Sequence, residues 1–331
     1  MKSTFRIFST AVLLACSIAG ASAEDTPSIK VRTDWLPWGI HAGLHLAAQK
    51  GWYKEAGVNV EVSDGKGSSL TMQQVVTGDV DVGLVQLGTM AIAHGQGLPV
   101  ISIAGLARKG DLGAIVPKDE NIKTVKDLEG KKVAYAAASA WGPLLDTYLA
   151  AGGADRSKIQ LLNVDQSSLM SIYASKQADA VLTTLPFAKP TADPQRPSGS
   201  ILLADVGVNL PSYGLMTSLA VLKNKPEALK RFVPVVVRAW EYIYDGNPAH
   251  IDEAVQAIAS QRSSDKLDLD IIKEQIVEFK PFFWTEATKN KKFGWQSEED
   301  WKGTIAVLEK VNALKPGSKP SDYFTNAFVT E

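Results

Sequence analysis

The chain has 331 residues, 45% hydrophobic and 21% charged, with 35 basic against 36 acidic side chains and a formal charge of −1. That is ample for two domains of ordinary size, and the near-neutral balance excludes the basic field that nucleic-acid binding requires. The single cysteine, Cys16, stands inside the N-terminal apolar run, so the chain after it can form neither a disulfide nor a thiolate metal site.

Lys2 and Arg6 precede the apolar run Ile7 to Gly20, and Ala21-Ser22-Ala23 follows it just before Glu24-Asp25. This is the pattern of a secretory signal peptide over residues 1–23, too short for a membrane span, and it predicts a soluble protein exported to the periplasm. Leu13-Leu14-Ala15-Cys16 resembles a lipobox, which would leave a lipid anchor on Cys16. The Ala-x-Ala site is preferred, because cleavage at the lipobox would cut the apolar region short. Loss of the leader leaves 33 basic against 36 acidic side chains, a charge of −3.

Ile29 to Thr33 is short and β-branched, Pro37 stops it, and Ile40, Leu44 and Ala47/Ala48 then recur at helical spacing. The loop between strand and helix carries Asp34, Trp35, Trp38 and His41. Loops of this kind lie beyond the carboxyl ends of parallel strands, where helix N-termini bring a positive dipole end and where α/β proteins bind ligands. Two indoles there suit a flat ligand, although Trp35 capping the sheet and Trp38 packing under the helix would also explain them.

An alternating strand, Val58 to Val62, leads to Asp64-Gly65-Lys66-Gly67-Ser68-Ser69 and a helix from Leu70 to Thr77. The Gly-x-x-x-x-Gly-Lys-Ser/Thr order is absent, which speaks against nucleotide hydrolysis, and Ser68 can cap the helix, bind a ligand or do both. The strand Val82 to Val85 ends at Gln86-Leu87-Gly88, and another helix and the strand Val100 to Leu106 follow, with Arg108 just beyond. Strands alternating with helices at this spacing predict open, mostly parallel sheets.

Ser68-Ser69-Leu70 is followed 13 residues after Ser68 by Asp81 and an apolar strand. Ser167-Ser168-Leu169 is followed 12 residues after Ser167 by Asp179 and Ala180-Val181-Leu182-Thr183-Thr184. This echo suggests two similar lobes, each offering a helix start and a strand end to a shared cleft. Between the copies, Trp141 stands at a helix start before Pro143. Pro186, Pro190, Pro194 and Pro197 predict an irregular rim loop over 186–199. The segment containing Tyr213 then returns to the first lobe, and four helices follow from Pro226, Pro248, Leu269 and Glu298. Phe282, Phe283, Trp284, Trp295 and Trp301 are read as packing residues.

Catalytic and metal chemistry find no support. His41 and His45 have the spacing of a zinc-protease pair, but position 42 is alanine where the general base would stand, and no Gly-x-Ser-x-Gly elbow occurs. Asp34, Asp64 and Asp165 fall at predicted strand ends, where acids also cap helices and orient rings.

Asp34-Trp35-Leu36-Pro37-x-x-x-His41-x-Gly43, Gly51-Trp52-Tyr53, Asp64-Gly65-x-Gly67-Ser68, Gly78-x-x-Asp81 and Leu128-x-Gly130-Lys131-x-Val133 resemble the NMT1/THI5-like branch of ABC-transporter substrate-binding proteins. The resemblance implies an α/β fold of the periplasmic binding protein type II class: two lobes, each with a mostly parallel sheet flanked by helices, joined by a two-strand hinge. Lobe 1 is expected at 24–112 plus 210–331 and lobe 2 at 113–209, with hinge segments at 112–117 and 205–213. It further implies a small-molecule solute, an inner-membrane ABC permease as partner and no cofactor, and a monomer is expected. Trp35, His41, Gly67 and Ser68 carry over as contacts. Asp34, Trp38, Ser69, Gln86, Arg108, Trp141, Thr183, Thr184 and Tyr213 are added from their predicted positions. Where the branch usually has asparagine, this chain has Trp38. The solute is expected to be a small planar heteroaromatic or aromatic compound held between indoles of both lobes, with Arg108 able to pair with an acidic group. The alternatives are a sulfonate, taurine or nitrate, and, in another class, the pyrimidine synthases of the branch, whose cysteine-rich motif is missing here.

Overall fold

The computed structural model describes residues 26–261 and 267–329; the expected signal peptide and cleavage site, with Cys16, lie outside them. The elements are β1 Ser28–Arg32, α1 Ala42–Gln49, α2 Trp52–Glu55, β2 Asn59–Ser63, α3 Ser68–Thr77, β3 Val82–Gln86, α4 Leu87–Gly95 and β4 Val100–Gly105. The chain then crosses to β5 Leu112–Pro117, β6 Lys132–Tyr135, α5 Trp141–Ala151, β7 Gln160–Asn163, α6 Leu169–Ala174, β8 Ala180–Thr184, α7 Leu185–Ala192 and β9 Ser198–Leu202. It returns through β10 Tyr213–Ser218 to α8 Leu219–Asn224, α9 Pro226–Ile243, α10 Pro248–Ser260, α11 Leu269–Phe279 and α12 Glu298–Lys310.

Two five-stranded sheets result, ordered β2-β1-β3-β10-β4 and β7-β6-β8-β5-β9. The two orders are equivalent position by position. In each, the first three strands run parallel, and the fourth, antiparallel to both neighbours, is the strand that follows a crossing. This is the type II periplasmic binding protein fold.

The echo read in the sequence is one physical device used twice. Asp81 accepts the Lys30 N–H through Oδ2 at 2.9 Å while its own N–H donates to the Lys30 carbonyl at 2.8 Å. Asp179 does the same to Lys132, at 2.7 and 2.8 Å. Each carboxylate thus pins the turn before β3 or β8 to a neighbouring strand, at the middle of β1 or the start of β6.

The crossings lie at residues 106–111 and 203–212, between β4 and β5 and between β9 and β10. The expected hinge segment 112–117 is instead β5, buried along its whole length between β8 and β9. The expected rim loop over 186–199 also differs, since 185–192 is helix α7. Pro186 falls in its first turn, where a backbone N–H has no helical partner to lose. Pro234 stands inside α9 without ending it, and the buried face of α9, from Leu229 through Phe232, Val236 and Trp240, packs on α1. Phe283 and Trp301 are buried. Among the described residues no helix is long and apolar enough to cross a membrane.

Candidate functional site

The carboxyl ends of the parallel strands of both sheets, and the N-terminal ends of the antiparallel β5 and β10, converge on one narrow cavity with about 20 Å³ of free space, room for about one water molecule. Larger hollows flank α12 (about 360 Å³) and the α7–α11 groove (about 830 Å³), yet they do not lie at the strand ends of both sheets. The first lobe contributes Asp34 after β1, Ser68 at the start of α3 and Tyr213 at the start of β10. The second contributes Ser139 and Trp141 after β6, Gln166 and Leu169 after β7, and Thr183 and Thr184 at the end of β8.

Asp34 organises the first-lobe wall. It is 3% exposed, and its carboxylate accepts from three donors: His41 Nε2 at 2.8 Å and Trp38 Nε1 at 3.3 Å on Oδ1, and the Tyr213 hydroxyl at 2.7 Å on Oδ2. The Asp34 carbonyl also accepts the Gly67 N–H, which fixes the start of α3 against the same loop. Burial, followed by the charges of Asp34 and Asp111, raises the Tyr213 phenol well above its ordinary pKa and keeps it a neutral donor. Ser68 Oγ accepts the Gln86 N–H at 3.2 Å, so its own proton is free to point into the cavity. Gln86 donates through Nε2 to Asp111 Oδ1 at 2.9 Å and stands one layer behind the wall.

The second-lobe wall holds two polar atoms without a partner, Trp141 Nε1 and Gln166 Oε1. One donates and the other accepts. Among the described residues no arginine or lysine lines the cavity.

The lobes touch around it. Ser69 Oγ donates to the Ser139 carbonyl at 3.2 Å, and a Cβ on Gly67 would lie 2.1 Å from the Ala138 carbonyl oxygen. On the opposite side the Trp38 ring meets Phe187 of α7 edge-on, with centroids 5.3 Å apart.

The structure therefore brings Asp34, Ser68, Trp141, Thr183, Thr184 and Tyr213 together at the cavity, with Gly67 and Ser69 at its rim and His41 behind Asp34. It does not assemble an indole sandwich. Trp35 packs half-buried on the first-lobe core, and Trp38, 2% exposed, is enclosed by His41, Tyr213, Phe187 and Phe279. The aromatic residues that border the cavity are Tyr213 and Trp141, one from each lobe. Arg108 lies elsewhere: Nε donates to the Phe283 carbonyl and Nη1 to the Trp295 carbonyl, both at 2.7 Å, and the residue lines the hollow beside α12. Burial lowers its pKa to about 10.

Gln166, Ser139 and Asp111 escaped the sequence reading. Gln166 had a signal, because the echo that aligns Ser68 with Ser167 aligns Gly67 with Gln166. Asp111, in the first crossing, is fully buried, and burial pushes its carboxyl up to about 7, against the hydrogen bond from Gln86. Its Oδ2 has no partner. Among the described residues no group of three or more His, Cys, Asp or Glu could hold a metal ion.

Comparison with known proteins agrees with this architecture. The chain is 24% identical over 335 residues to the formylaminopyrimidine-binding protein of Halalkalibacterium halodurans, covering 98% of this chain and 99% of that one. It is 25% identical over 243 residues to the 4-amino-5-hydroxymethyl-2-methylpyrimidine phosphate synthase of Aspergillus parasiticus, covering 70% of each. The fold superposes on the alkanesulfonate-binding protein SsuA from Xanthomonas axonopodis pv. citri bound to MOPS with a TM-score of 0.66 and 15% identity, covering 90% of this chain and 98% of that one. The NMT1/THI5-like family model matches residues 38–250, and the chain belongs to that family.

Proposed function

We propose that this protein is the periplasmic solute-binding component of an ABC importer, and that it captures a small, uncharged nitrogen heterocycle of the aminopyrimidine class between its lobes. The observation that carries the solute class is the polarity of the cavity. It has no lysine or arginine in its lining among the described residues, its one carboxylate is already engaged by three donors, and the groups it offers a solute include the Trp141 N–H, the Ser68 hydroxyl proton and the Gln166 carbonyl oxygen, all neutral. An anion would lack a cationic partner here. A ring bearing both an amino donor and a ring-nitrogen acceptor matches Gln166 and Trp141. The formylaminopyrimidine-binding relative supports the same class.

One observation favours the sulfonate, taurine or nitrate alternative: the N-terminus of α3, with Ser68 on the cavity wall, presents a positive dipole end. The synthase reading is less well supported, since among the described residues no nucleophile and base pair is assembled at the cavity. Native mass spectrometry of the protein purified from its own periplasm tests the proposal. The expected result is a mass increment matching an aminopyrimidine that is released unchanged on denaturation. A sulfonate or nitrate adduct would favour the alternative, and turnover or a covalently altered His41 would favour the enzyme.

A further inference from the structure

The second-lobe helix α7 does more than close a sheet. Phe187 projects from it against Trp38, and the Phe187 carbonyl accepts Nε2 of Gln275, a buried residue of α11 in the first-lobe core, at 3.1 Å. Gln275 Oε1 in turn accepts the Gly39 N–H, immediately after Trp38, at 3.0 Å. The amide of Gln275 is thus anchored in one lobe and reaches across to the other.

Trp38 stands directly behind the cavity wall. Its Nε1 donates to Asp34 at 3.3 Å and its ring lies 5.5 Å from that of Tyr213, and both of these residues face the solute space. On its far side Phe187 and Phe279 complete an aromatic cage at 5.3 and 5.5 Å. We propose that Trp38 and Phe187 set the size limit of the solute, filling a compartment behind Asp34 and Tyr213 that a second fused ring would otherwise occupy. This rests on reading the cavity as a solute site. The two halves of the plug come from different lobes, so the limit is imposed on closing. A two-ring solute would have to displace the indole or hold Phe187 away, breaking its bond with Gln275.

The test is calorimetric titration of wild type, Trp38→Ala, Trp38→Phe and Phe187→Ala with cytosine, adenine and lumichrome as one-, two- and three-ring probes. Wild type is expected to bind cytosine in preference to both larger probes. Trp38→Ala and Phe187→Ala should each tighten adenine binding by about tenfold or more relative to wild type, while Trp38→Phe keeps the one-ring preference. Millimolar free indole should raise the melting temperature of Trp38→Ala and leave wild type unchanged, reporting the vacated compartment without any solute. Wild type that binds adenine as tightly as cytosine would overturn the size limit. So would folded variants that still reject adenine although indole stabilises Trp38→Ala. If Trp38→Ala does not fold, Phe187→Ala alone decides. Heat from taurine or nitrate and from no heterocycle would instead defeat the solute class itself, a failure distinct from that of the plug.

Discussion

Tyr213 donates its phenolic proton to Asp34 Oδ2 over 2.7 Å and so ties the strand that re-enters the first sheet to the loop that leaves β1. With His41 and Trp38 on the other oxygen, one buried carboxylate holds three first-lobe side chains in position. Tyr213→Phe leaves Oδ2 without its donor and should cost about 1–3 kcal/mol in urea unfolding. Asp34→Asn cannot serve all three donors as acceptor and should cost more, about 3–5 kcal/mol. A Tyr213→Phe protein as stable as wild type would remove Asp34 from its anchoring role.

Asp111 makes stability depend on pH. Its folded carboxyl titrates at about 7 because burial disfavours the charge, above the ordinary value of about 3.9. The folded state therefore holds the proton more tightly than the unfolded chain. Its contribution is fully present below about pH 4 and is lost as pH rises to about 7, a loss of roughly 2–4 kcal/mol. Asp111→Asn should match wild type near pH 4 and exceed it at pH 8 in denaturant titrations. An equal difference at both pH values would contradict the buried-acid assignment.

At Gly67 the backbones of the two lobes approach closely. Its φ of +120° suits glycine, and a Cβ would meet the Ala138 carbonyl of the other lobe at 2.1 Å. Gly67→Ala should stay folded but resist closure, weakening solute binding by at least about tenfold, the equivalent of ~1.4 kcal/mol. Gly78→Ala is the control, because Gly78 also has positive φ (+83°) but open space around the added carbon. X-ray scattering with saturating solute should show compaction for the control and none for Gly67→Ala. Compaction of both would place the closing contact elsewhere.

Trp141 serves the core and the cavity together. It is 1% exposed, its ring meets Tyr148 edge-on at 5.2 Å, and its indole N–H has no protein partner. Trp141→Ala should cost about 3–5 kcal/mol of stability, unlike a purely ligand-facing indole. Trp141→Phe retains most of the packing and loses the donor, so it should lower affinity several-fold with a smaller stability cost, about 1–2 kcal/mol. Unchanged affinity in folded Trp141→Phe would make the residue a packing element only.

Periodicity and turn chemistry carried most of the fold into view. The βα alternation and the four C-terminal helices are local signals, set by residues within a few positions of one another. What stayed hidden depends on distant partners. Arg108 looked free to meet a ligand, but its carbonyl acceptors at Phe283 and Trp295 lie 175 and 187 residues away. Trp38 looked like a stacking surface, but Phe187 and Phe279, from two remote helices, enclose it. Helix α7 is hidden by its prolines: Pro186 falls in the first turn, which tolerates it, and Pro190 stands inside the helix without ending it. Asp111 has no pattern around it at all, and its burial arises from the meeting of the two crossings.

Calorimetric titration of the leader-free protein, stripped of bound solute by unfolding and refolding, tests the solute assignment most directly. Cytosine and 4-amino-2-methylpyrimidine would be compared with taurine and nitrate. The expected result is saturable heat from the aminopyrimidines, a negative heat-capacity change from lobe closure, and no heat from either anion. Tight binding of taurine or nitrate, with no heat from any heterocycle, would contradict it.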